Sequence, residues 1–445
     1  MFNFNFLGKT KIPHHKNTSG IPPVRMPAPV EVCITMDQHL GAPAIPVVKA
    51  DDEVKVGQLI AEASGYISAP IYSSVSGRVK KIDSVLRVNG SEVCAVRIES
   101  DGLMTPADDI TPPTITDIDS LIASIRNCGM VGLGGAGFPT AVKFDAVKKG
   151  LINTIIVNAA ECEPYLTCDA RTMLDDSEFI SEGISLFQKI MPEVKRYIIG
   201  IESNKPKCIA EMKRVFKNNN AVSVATLPSR YPQGAEKILI RNTTSLTVPE
   251  GKLPADVGVI VINVTTLASL AKYFKTGMPL VEKCITVDGS AVAEPKNVIV
   301  PIGTSIRDVI DFAGGLKQHS GKIILGGPMT GRAVWSMDEP VTKTTGGILA
   351  FSESDAKQLN TTACIHCGKC LDACPNSLNV PEFSHALKRN DKAEQIKILE
   401  DSRVNLCIEC GSCAFVCPAN RPLVENIRVA KKALKDYNAH KATLK

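Results

Sequence analysis

The chain has 445 residues, a length suited to about three domains. Hydrophobic residues make up 44% and charged residues 22%, the balance of a globular protein rather than a disordered one. A net charge of +5 is too small to argue for a nucleic-acid partner, and no run reaches the ~18 consecutive apolar residues of a membrane span. Met1 to Lys16 mixes Phe, Asn, Lys and His and lacks the apolar core of a signal peptide. These features predict a soluble or peripheral protein of the reducing cytoplasm, whose 15 cysteines are metal ligands or reduced thiols.

Residues 1–37 read as an extended arm that wraps other domains, because Pro13, Pro22, Pro23, Pro27 and Pro29 forbid regular helix. His14 and His15 read as solvated or internally satisfied side chains. Residues 38–100 change to short β runs at Ile45–Val48, Gln58–Ala61, Gly77–Ile82 and Val93–Ile98. The stretch Val54-Lys-Val-Gly57-Gln-Leu-Ile-Ala-Glu62, with Ile67-Ser-Ala-Pro70 and Val75-Ser-Gly77-Arg-Val79, resembles the biotinyl/lipoyl barrel-sandwich module. That family carries a modified lysine on its hairpin tip. The matching tip here is Ser64-Gly65-Tyr66, so a structural or docking module is expected.

After a linker over 101–116, apolar spacing predicts a helix over 118–127, closed by Gly129. Next comes Gly132-Leu-Gly134-Gly135-Ala-Gly137-Phe138-Pro139-Thr140. It satisfies G-x-G-x-x-G but follows a helix, and the next acidic residue, Glu161, lies inside a loop, so the Rossmann context is missing. Four glycines still let backbone N–H groups approach an anion. Pro139 suits the first turn of a helix towards Lys149, whose N-terminus can receive a phosphate with Lys143 one turn in. A purely structural turn is the alternative.

Leu151–Val157 reads as a buried strand ending in Asn158-Ala-Ala-Glu161-Cys-Glu163-Pro164-Tyr165. Segments then alternate: strand Arg196–Ile201, helix Lys205–Phe216, strand Val222–Leu227, helix Gly234–Arg241, strand Val257–Ile262, helix Thr266–Thr276. This predicts a mostly parallel sheet covered by helices, with ligands at the carboxyl ends of its strands. Tyr231-Pro-Gln-Gly234-Ala-Glu236 and Asn263-Val-Thr-Thr266 fall in those loops. For Glu161 and Glu163 a plain loop cap is the alternative. From Cys284 the order is strand, Asp-Gly turn, strand Asn297–Pro301, helix Ser305–Ala313 with Thr304 as N-cap, and strand Lys322–Leu325. It resembles the soluble-ligand-binding β-grasp (SLBB) module, with no convergent polar cluster, so a packing role is expected. Val341–Phe351 reads as a return strand.

Two runs close the chain: Cys364-Ile-His-Cys367-Gly-Lys-Cys370-Leu-Asp-Ala-Cys374-Pro375 and Cys407-Ile-Glu-Cys410-Gly-Ser-Cys413-Ala-Phe-Val-Cys417-Pro418. Each is C-x2-C-x2-C-x3-C-P, the pattern of paired [4Fe–4S] clusters in which the fourth cysteine ligates the other cluster. Cys364, Cys367, Cys370 and Cys417 are assigned to one cluster, and Cys407, Cys410, Cys413 and Cys374 to the second. Zinc pairs more often come as two C-x2-C halves. Helical spacing at Pro381–Lys388 and Lys392–Leu399 predicts an α-helical two-cluster domain. From Leu423 a basic amphipathic helix, with Arg428, Lys431, Lys432 and Lys435, reads as a solvated terminal helix with fraying last residues; a membrane surface or acidic partner is the alternative.

The glycine loop, the Asn-x-x-Glu-x-Glu-Pro loop, the Tyr-x-x-Gly-x-Glu loop and the Asn-Val-x-Thr-Leu turn together resemble the flavin-binding, NADH-oxidising subunit of respiratory complex I. With the β module and the terminal clusters added, the whole chain, including Gln38-His-Leu-Gly41-Ala-Pro43-Ala, resembles the RnfC family of the Rnf complex. The expected fold is multidomain α/β: arm 1–37, barrel-sandwich 38–100, flavin/NADH domain 115–280, SLBB-like module 283–335, return strand 336–355, two-cluster ferredoxin domain 356–425, and basic helix 426–445.

The resemblance implies noncovalent FMN held by Gly132, Gly134, Lys143, Asn158, Glu161, Tyr231, Asn263 and Thr266. It implies NADH stacking near Gly135 and Phe138, with Glu163 and Glu236 bonding its ribose or carboxamide. Ala160, Ala235 and Ile262 depart from the complex I pattern, which has Asp, Glu and Asn there. The implied activity is exchange of electrons between NADH and FMN, then singly through the clusters, at the cytoplasmic face of the membrane. No catalytic acid or base is required. The implied partners are membrane subunits, covalent-flavin subunits, a cluster-bearing ferredoxin-facing subunit and, through them, ferredoxin. A microcompartment cobalamin reductase and a non-enzymatic iron–sulfur relay are the alternatives.

Overall fold

The computed structural model describes residues 8–443. Residues 1–7 of the expected arm and the fraying expected at 444–445 lie outside the described residues. The arm does wrap the body. Thr10 pairs with Tyr231 of the central domain, and Val24–Arg25 adds a parallel strand beside Lys296–Pro301. Its last part is not arm, however. Glu31–Thr35 is a strand antiparallel to Glu92–Ser100, with Val32 and Ile34 fully buried. The boundary expected at 37/38 therefore moves into the arm: the prolines masked a five-residue strand that belongs to the barrel.

That barrel-sandwich packs a four-stranded sheet (Glu31–Thr35, Glu92–Ser100, Gly77–Leu86, Glu53–Val54) on a three-stranded one (Ile45–Pro46, Leu59–Glu62, Ile71–Tyr72). Val32, Ile34, Ile60, Ile71, Val79 and Ile98 fill the space between them. Full burial of each such side chain is worth about 1.5–3 kcal/mol. The hairpin tip is tied down. Ser64 Oγ donates to the Pro43 carbonyl at 2.6 Å, and the Tyr66 hydroxyl donates to Asp145 of the next domain.

In the central domain, the helix Ile118–Asn127 is followed by Gly129 at φ +65°. Four parallel strands stand in the order Val222–Leu227, Arg196–Glu202, Thr154–Ala159, Val259–Asn263. The chain winds outward from Thr154–Ala159 on one side and then returns to its other side. The order therefore reverses between Thr154–Ala159 and Val259–Asn263, where open α/β sheets bind ligands. Asn158 and Asn263 are register partners at that point. Two helices not expected from the sequence, Cys168–Asp175 and Ser177–Ile190, complete the cover.

The next sheet runs Val24–Arg25, Lys296–Pro301, Glu282–Asp288, Gly347–Ser352, Ser320–Leu325, Arg332–Ala333. The return strand Gly347–Ser352 lies in its middle, so the module does not end at 335. Its helix Ile306–Phe312 is capped by Ser305, whose hydroxyl accepts from Asp308 N at 3.1 Å. The expected cap, Thr304, instead donates to the Pro301 carbonyl.

The cluster domain packs Val380–Ala386, Lys392–Asp401 and Leu423–Thr443 around Phe383, Leu399, Ile427, Ala430 and Leu434. The terminal helix is part of this core, which removes the boundary expected at 425/426. Two of its cations face inward: Arg428 and Lys431 both bond Glu409.

Candidate flavin and cluster sites

The glycine loop lies over the sheet's reversal point. Leu133 N donates to Thr266 Oγ1 at 3.0 Å, and Asn263 Oδ1 caps the helix Val264–Thr276 by accepting from Thr266 N. Gly134 sits so close to Asn263 that a Cβ there would come within 2.6 Å of its Nδ2. Gly134, Gly135 and Ala136 form an exposed crest. The described residues offer the N–H groups of these three no hydrogen-bond partner. Beside the crest, Gly132 N donates to the Phe138 carbonyl and Phe138 is half-buried.

The other expected residues converge on the same edge. Lys143 Nζ reaches Glu236 Oε1 at 3.1 Å and the Val261 carbonyl at 3.0 Å. Asn158 Nδ2 donates to the Gly234 carbonyl at 2.9 Å. Tyr231 is buried in its loop. Ala160 and Ile262 are also buried, and of these departures from the complex I pattern Ile262 packs in the apolar core.

The acidic loop is tied into the protein by its own carboxylates. Glu161, at φ +47°, accepts from Asp169 N at 2.6 Å with Oε1, so it caps the helix Cys168–Asp175. Glu163 accepts from Met329 N at 3.1 Å and from the Thr330 hydroxyl, both in the SLBB-like module. Glu163 thus has both oxygens engaged by the protein, whereas Glu161 Oε2 is buried without a hydrogen-bond partner among the described residues. Glu236 is paired with Lys143. Burial pushes Glu161 up to about 7, against the downward pull of Lys16 and Lys205.

Nothing in the sequence marks the side chains that hold this loop. Lys16, from the proline-rich arm, donates to the carbonyls of Glu161 at 2.9 Å, Glu163 at 2.8 Å and Leu166 at 2.5 Å. Lys205 donates to the Ala160 carbonyl at 2.6 Å. Half-buried Asp169 accepts from Asn263 Nδ2 at 2.9 Å and Thr265 Oγ1 at 2.7 Å. No motif marks a lone lysine as buried; only its contacts in the fold do.

In the cluster domain, Cys374, Cys407, Cys410 and Cys413 line one pocket, with Pro375, Gly411 and Ile427. The fourth cysteine of the first run therefore stands among the first three of the second. On the other side, Cys370 lies within electrostatic reach of Cys417 and Cys364. None of these cysteines is paired in a disulfide. Among the described residues no three His, Cys, Asp or Glu side chains close to single-ion distance. Four thiols around a wider pocket suit a polynuclear cluster, and the open crest of amides suits a phosphate. The residues fit both groups.

The two cysteine sites differ in their surroundings. The Cys407 run packs on the central body: Gly411 abuts the Met329 carbonyl, and Cys410 lies in reach of Tyr231. Cys364 and Cys367 are exposed.

Four families match in chain order: the RnfC barrel sandwich hybrid domain over residues 4–103, the Nuo51 FMN-binding domain over 125–272, the SLBB domain over 284–333 and the 4Fe-4S dicluster domain over 360–421. Among solved structures, an NAD+-reducing [NiFe]-hydrogenase in the H2-reduced state aligns with a TM-score of 0.51 at 19% identity. The alignment covers 75% of this chain and 65% of that one, a likeness of fold. The chain is 40% identical to the C subunit of the Na(+)-translocating ferredoxin:NAD(+) oxidoreductase complex of Acetobacterium woodii, over 96% of this chain and 97% of the relative. It is 42% identical to the C subunit of the proton-translocating complex of Clostridium ljungdahlii, over 86% and 84%. To the C subunit of the ion-translocating oxidoreductase complex of Rhodobacter capsulatus it is 37% identical, over 99% and 85%. These relatives favour neither a cobalamin reductase nor a non-enzymatic relay. The chain belongs to the RnfC family, the C subunits of the ion-translocating ferredoxin:NAD(+) oxidoreductase complexes.

Proposed function

We propose that this chain is the NAD(H)-handling subunit of a membrane-bound, ion-translocating ferredoxin:NAD(+) oxidoreductase. One observation carries the reading: four loops meet at the sheet's reversal point under an open crest of amides, and a four-cysteine pocket abuts the same body. Gly132, Gly134, Lys143, Asn158, Tyr231, Asn263 and Thr266 would hold FMN, with Gly135 and Phe138 on the nicotinamide side. Cys374, Cys407, Cys410 and Cys413 would hold an inner cluster, and Cys364, Cys367, Cys370 and Cys417 an outer one. Bound FMN exchanges electron pairs with a nicotinamide and single electrons with iron–sulfur clusters.

The chain's own residues supply position. The crest amides receive an anion. Lys143 and Glu236 neutralise each other at its edge. Glu161 and Glu163 shape the loop between the flavin site and the SLBB-like module, through Lys16 and Met329 respectively. That loop and Tyr231 keep the inner cysteine pocket next to the flavin site, while the exposed Cys364 and Cys367 leave the outer one open to a partner.

No helix among the described residues is long and apolar enough to cross a membrane. Membrane contact is therefore assigned to other subunits: membrane-embedded ones, covalent-flavin ones and a cluster-bearing one facing ferredoxin, with this chain peripheral on the cytoplasmic face. An anaerobic NADH titration of the chain reconstituted with FMN, iron and sulfide tests the reading. NADH should bleach the flavin and then raise the cluster EPR signal. Clusters that respond to dithionite while NADH leaves bound FMN oxidised would overturn it.

A further inference from the structure

The peptide planes of the glycine loop are held from outside its own domain. Three carbonyls, four residues apart, each accept a donor from another module. The Gly129 carbonyl accepts from Lys343 Nζ at 2.7 Å, the Leu133 carbonyl from Lys283 Nζ at 2.8 Å, and the Gly137 carbonyl from Leu40 N at 3.1 Å. Lys283 lies on a strand of the SLBB-like sheet, and Leu40 lies in the barrel-sandwich region. The three are interlocked. Lys283 Nζ also donates to the Lys343 carbonyl at 2.9 Å, and Lys343 N donates to Gln38 Oε1 at 3.0 Å.

A trans peptide points its C=O and its N–H in opposite directions. Fixing the Leu133 carbonyl inward on Lys283 therefore turns the Gly134 N–H outward, to the exposed crest. The Gly137 carbonyl fixes the Phe138 N–H in the same way. We propose that Lys283, Lys343 and the Leu40 amide are positioning groups that pin the back of the glycine loop so that its crest amides face the phosphate of a bound flavin nucleotide. This inference rests on the flavin reading above.

Neither lysine forms an ion pair among the described residues, and both are buried. Each has two carbonyl acceptors, Leu133 and Lys343 for Lys283, Pro70 and Gly129 for Lys343. A buried amine is retained at such a place only if its N–H groups are satisfied. Burial lowers Lys283 to about 8 and Lys343 to about 7. The same contacts give the Gln38-His39-Leu40 stretch a role. His39 accepts the Ala69 amide at 3.1 Å, so the segment that bonds Gly137 is itself anchored.

The test compares FMN with riboflavin, which lacks the phosphate, by flavin fluorescence titration of the full chain with its clusters loaded. Wild type should bind FMN far more tightly than riboflavin. Lys283→Met should weaken FMN about tenfold, one hydrogen bond's worth of orientation, and leave riboflavin affinity and iron content unchanged. Leu40→Pro removes the backbone N–H together with a half-exposed side chain, and constrains the backbone at 39 and 40. It keeps the test open if Lys283→Met does not fold, and it should show the same phosphate-specific loss. Variants that keep the wild-type preference for FMN, or that weaken both ligands equally, overturn the positioning role. A wild type that binds both flavins equally would instead remove the phosphate reading beneath it.

Discussion

His366 and Glu409 hold the same place in the two cysteine runs, and both are left-handed, at φ +55° and +53°. Gly368 and Gly411 follow, at +76° and +79°. One backbone has been built twice, yet the surroundings differ. A Cβ on Gly368 would meet nothing within 4 Å, whereas one on Gly411 would meet the Met329 carbonyl at 2.6 Å. Glu409 is gripped by Arg428 and Lys431, and Lys431 also donates to the Cys407 carbonyl at 2.6 Å. Among the described residues, His366 has a ring contact with His385, at 6.4 Å, and no ion pair. The motif sets which groups can ligate. The packing sets which site is held against the central body and which is left open, and cluster potentials follow hydrogen bonds and exposure rather than spacing.

The largest effect should come from removing a ligand on each side of that comparison. Cys413 is buried in the domain core, so Cys413→Ser should lose the inner cluster, lower iron content by half or more and loosen the domain. Cys367→Ser, at an exposed residue, should lose the outer signal alone. Iron analysis and EPR read both. Gly411→Ala and Gly368→Ala come next. A left-handed non-glycine residue costs about 1–2 kcal/mol at either position. Only Gly411→Ala adds a backbone clash, so it should destabilise the loaded domain more in denaturant unfolding. Equal losses would show that the contact with Met329 is immaterial.

A pH comparison sharpens the contrast between the lysines of the two regions. Burial lowers Lys343 from 10.5 to about 7, and the charged or titratable groups around it are Cys128, His39 and Lys283. Between pH 7 and 10.5 the unfolded chain holds the extra proton, so this group makes stability rise with pH in that window. The gain is complete above the unfolded value and absent below the folded one. Wild type should gain stability relative to Lys343→Met from pH 7 to pH 9 in paired melts. Parallel curves would contradict the assignment. The smallest effect is electrostatic. Lys431→Met removes a cation beside the inner site and should lower its midpoint potential while the outer midpoint stays put; about 59 mV is tenfold for one electron.

What was legible in the sequence follows the same division. The cysteine spacing is local, so the expected grouping across the two runs rests on it, and Cys374 does line one pocket with Cys407, Cys410 and Cys413. The parallel sheet was equally plain in the alternation of apolar runs with helical spacing, and Asn158, Lys143, Glu236 and Asn263 do meet at its edge. The partners of Glu163, Met329 and Thr330, could not be read locally, because they are more than 160 residues away. Lys16, Lys283 and Lys343 escaped for a related reason. Lysine reads as surface, and only long-range packing against bare carbonyls makes it interior. The strand Glu31–Thr35 was hidden by neighbouring prolines, and the terminal helix by its charge, part of which faces Glu409.

The central claim is that electrons from NADH meet the inner site first. Rapid-freeze EPR of the Cys367→Ser and Cys410→Ser variants, loaded with FMN, iron and sulfide and mixed with NADH, tests it most directly. The inner cluster should be reduced normally when the outer is absent, and the outer should stay oxidised when the inner is absent. Fast reduction of the outer cluster in Cys410→Ser would contradict it.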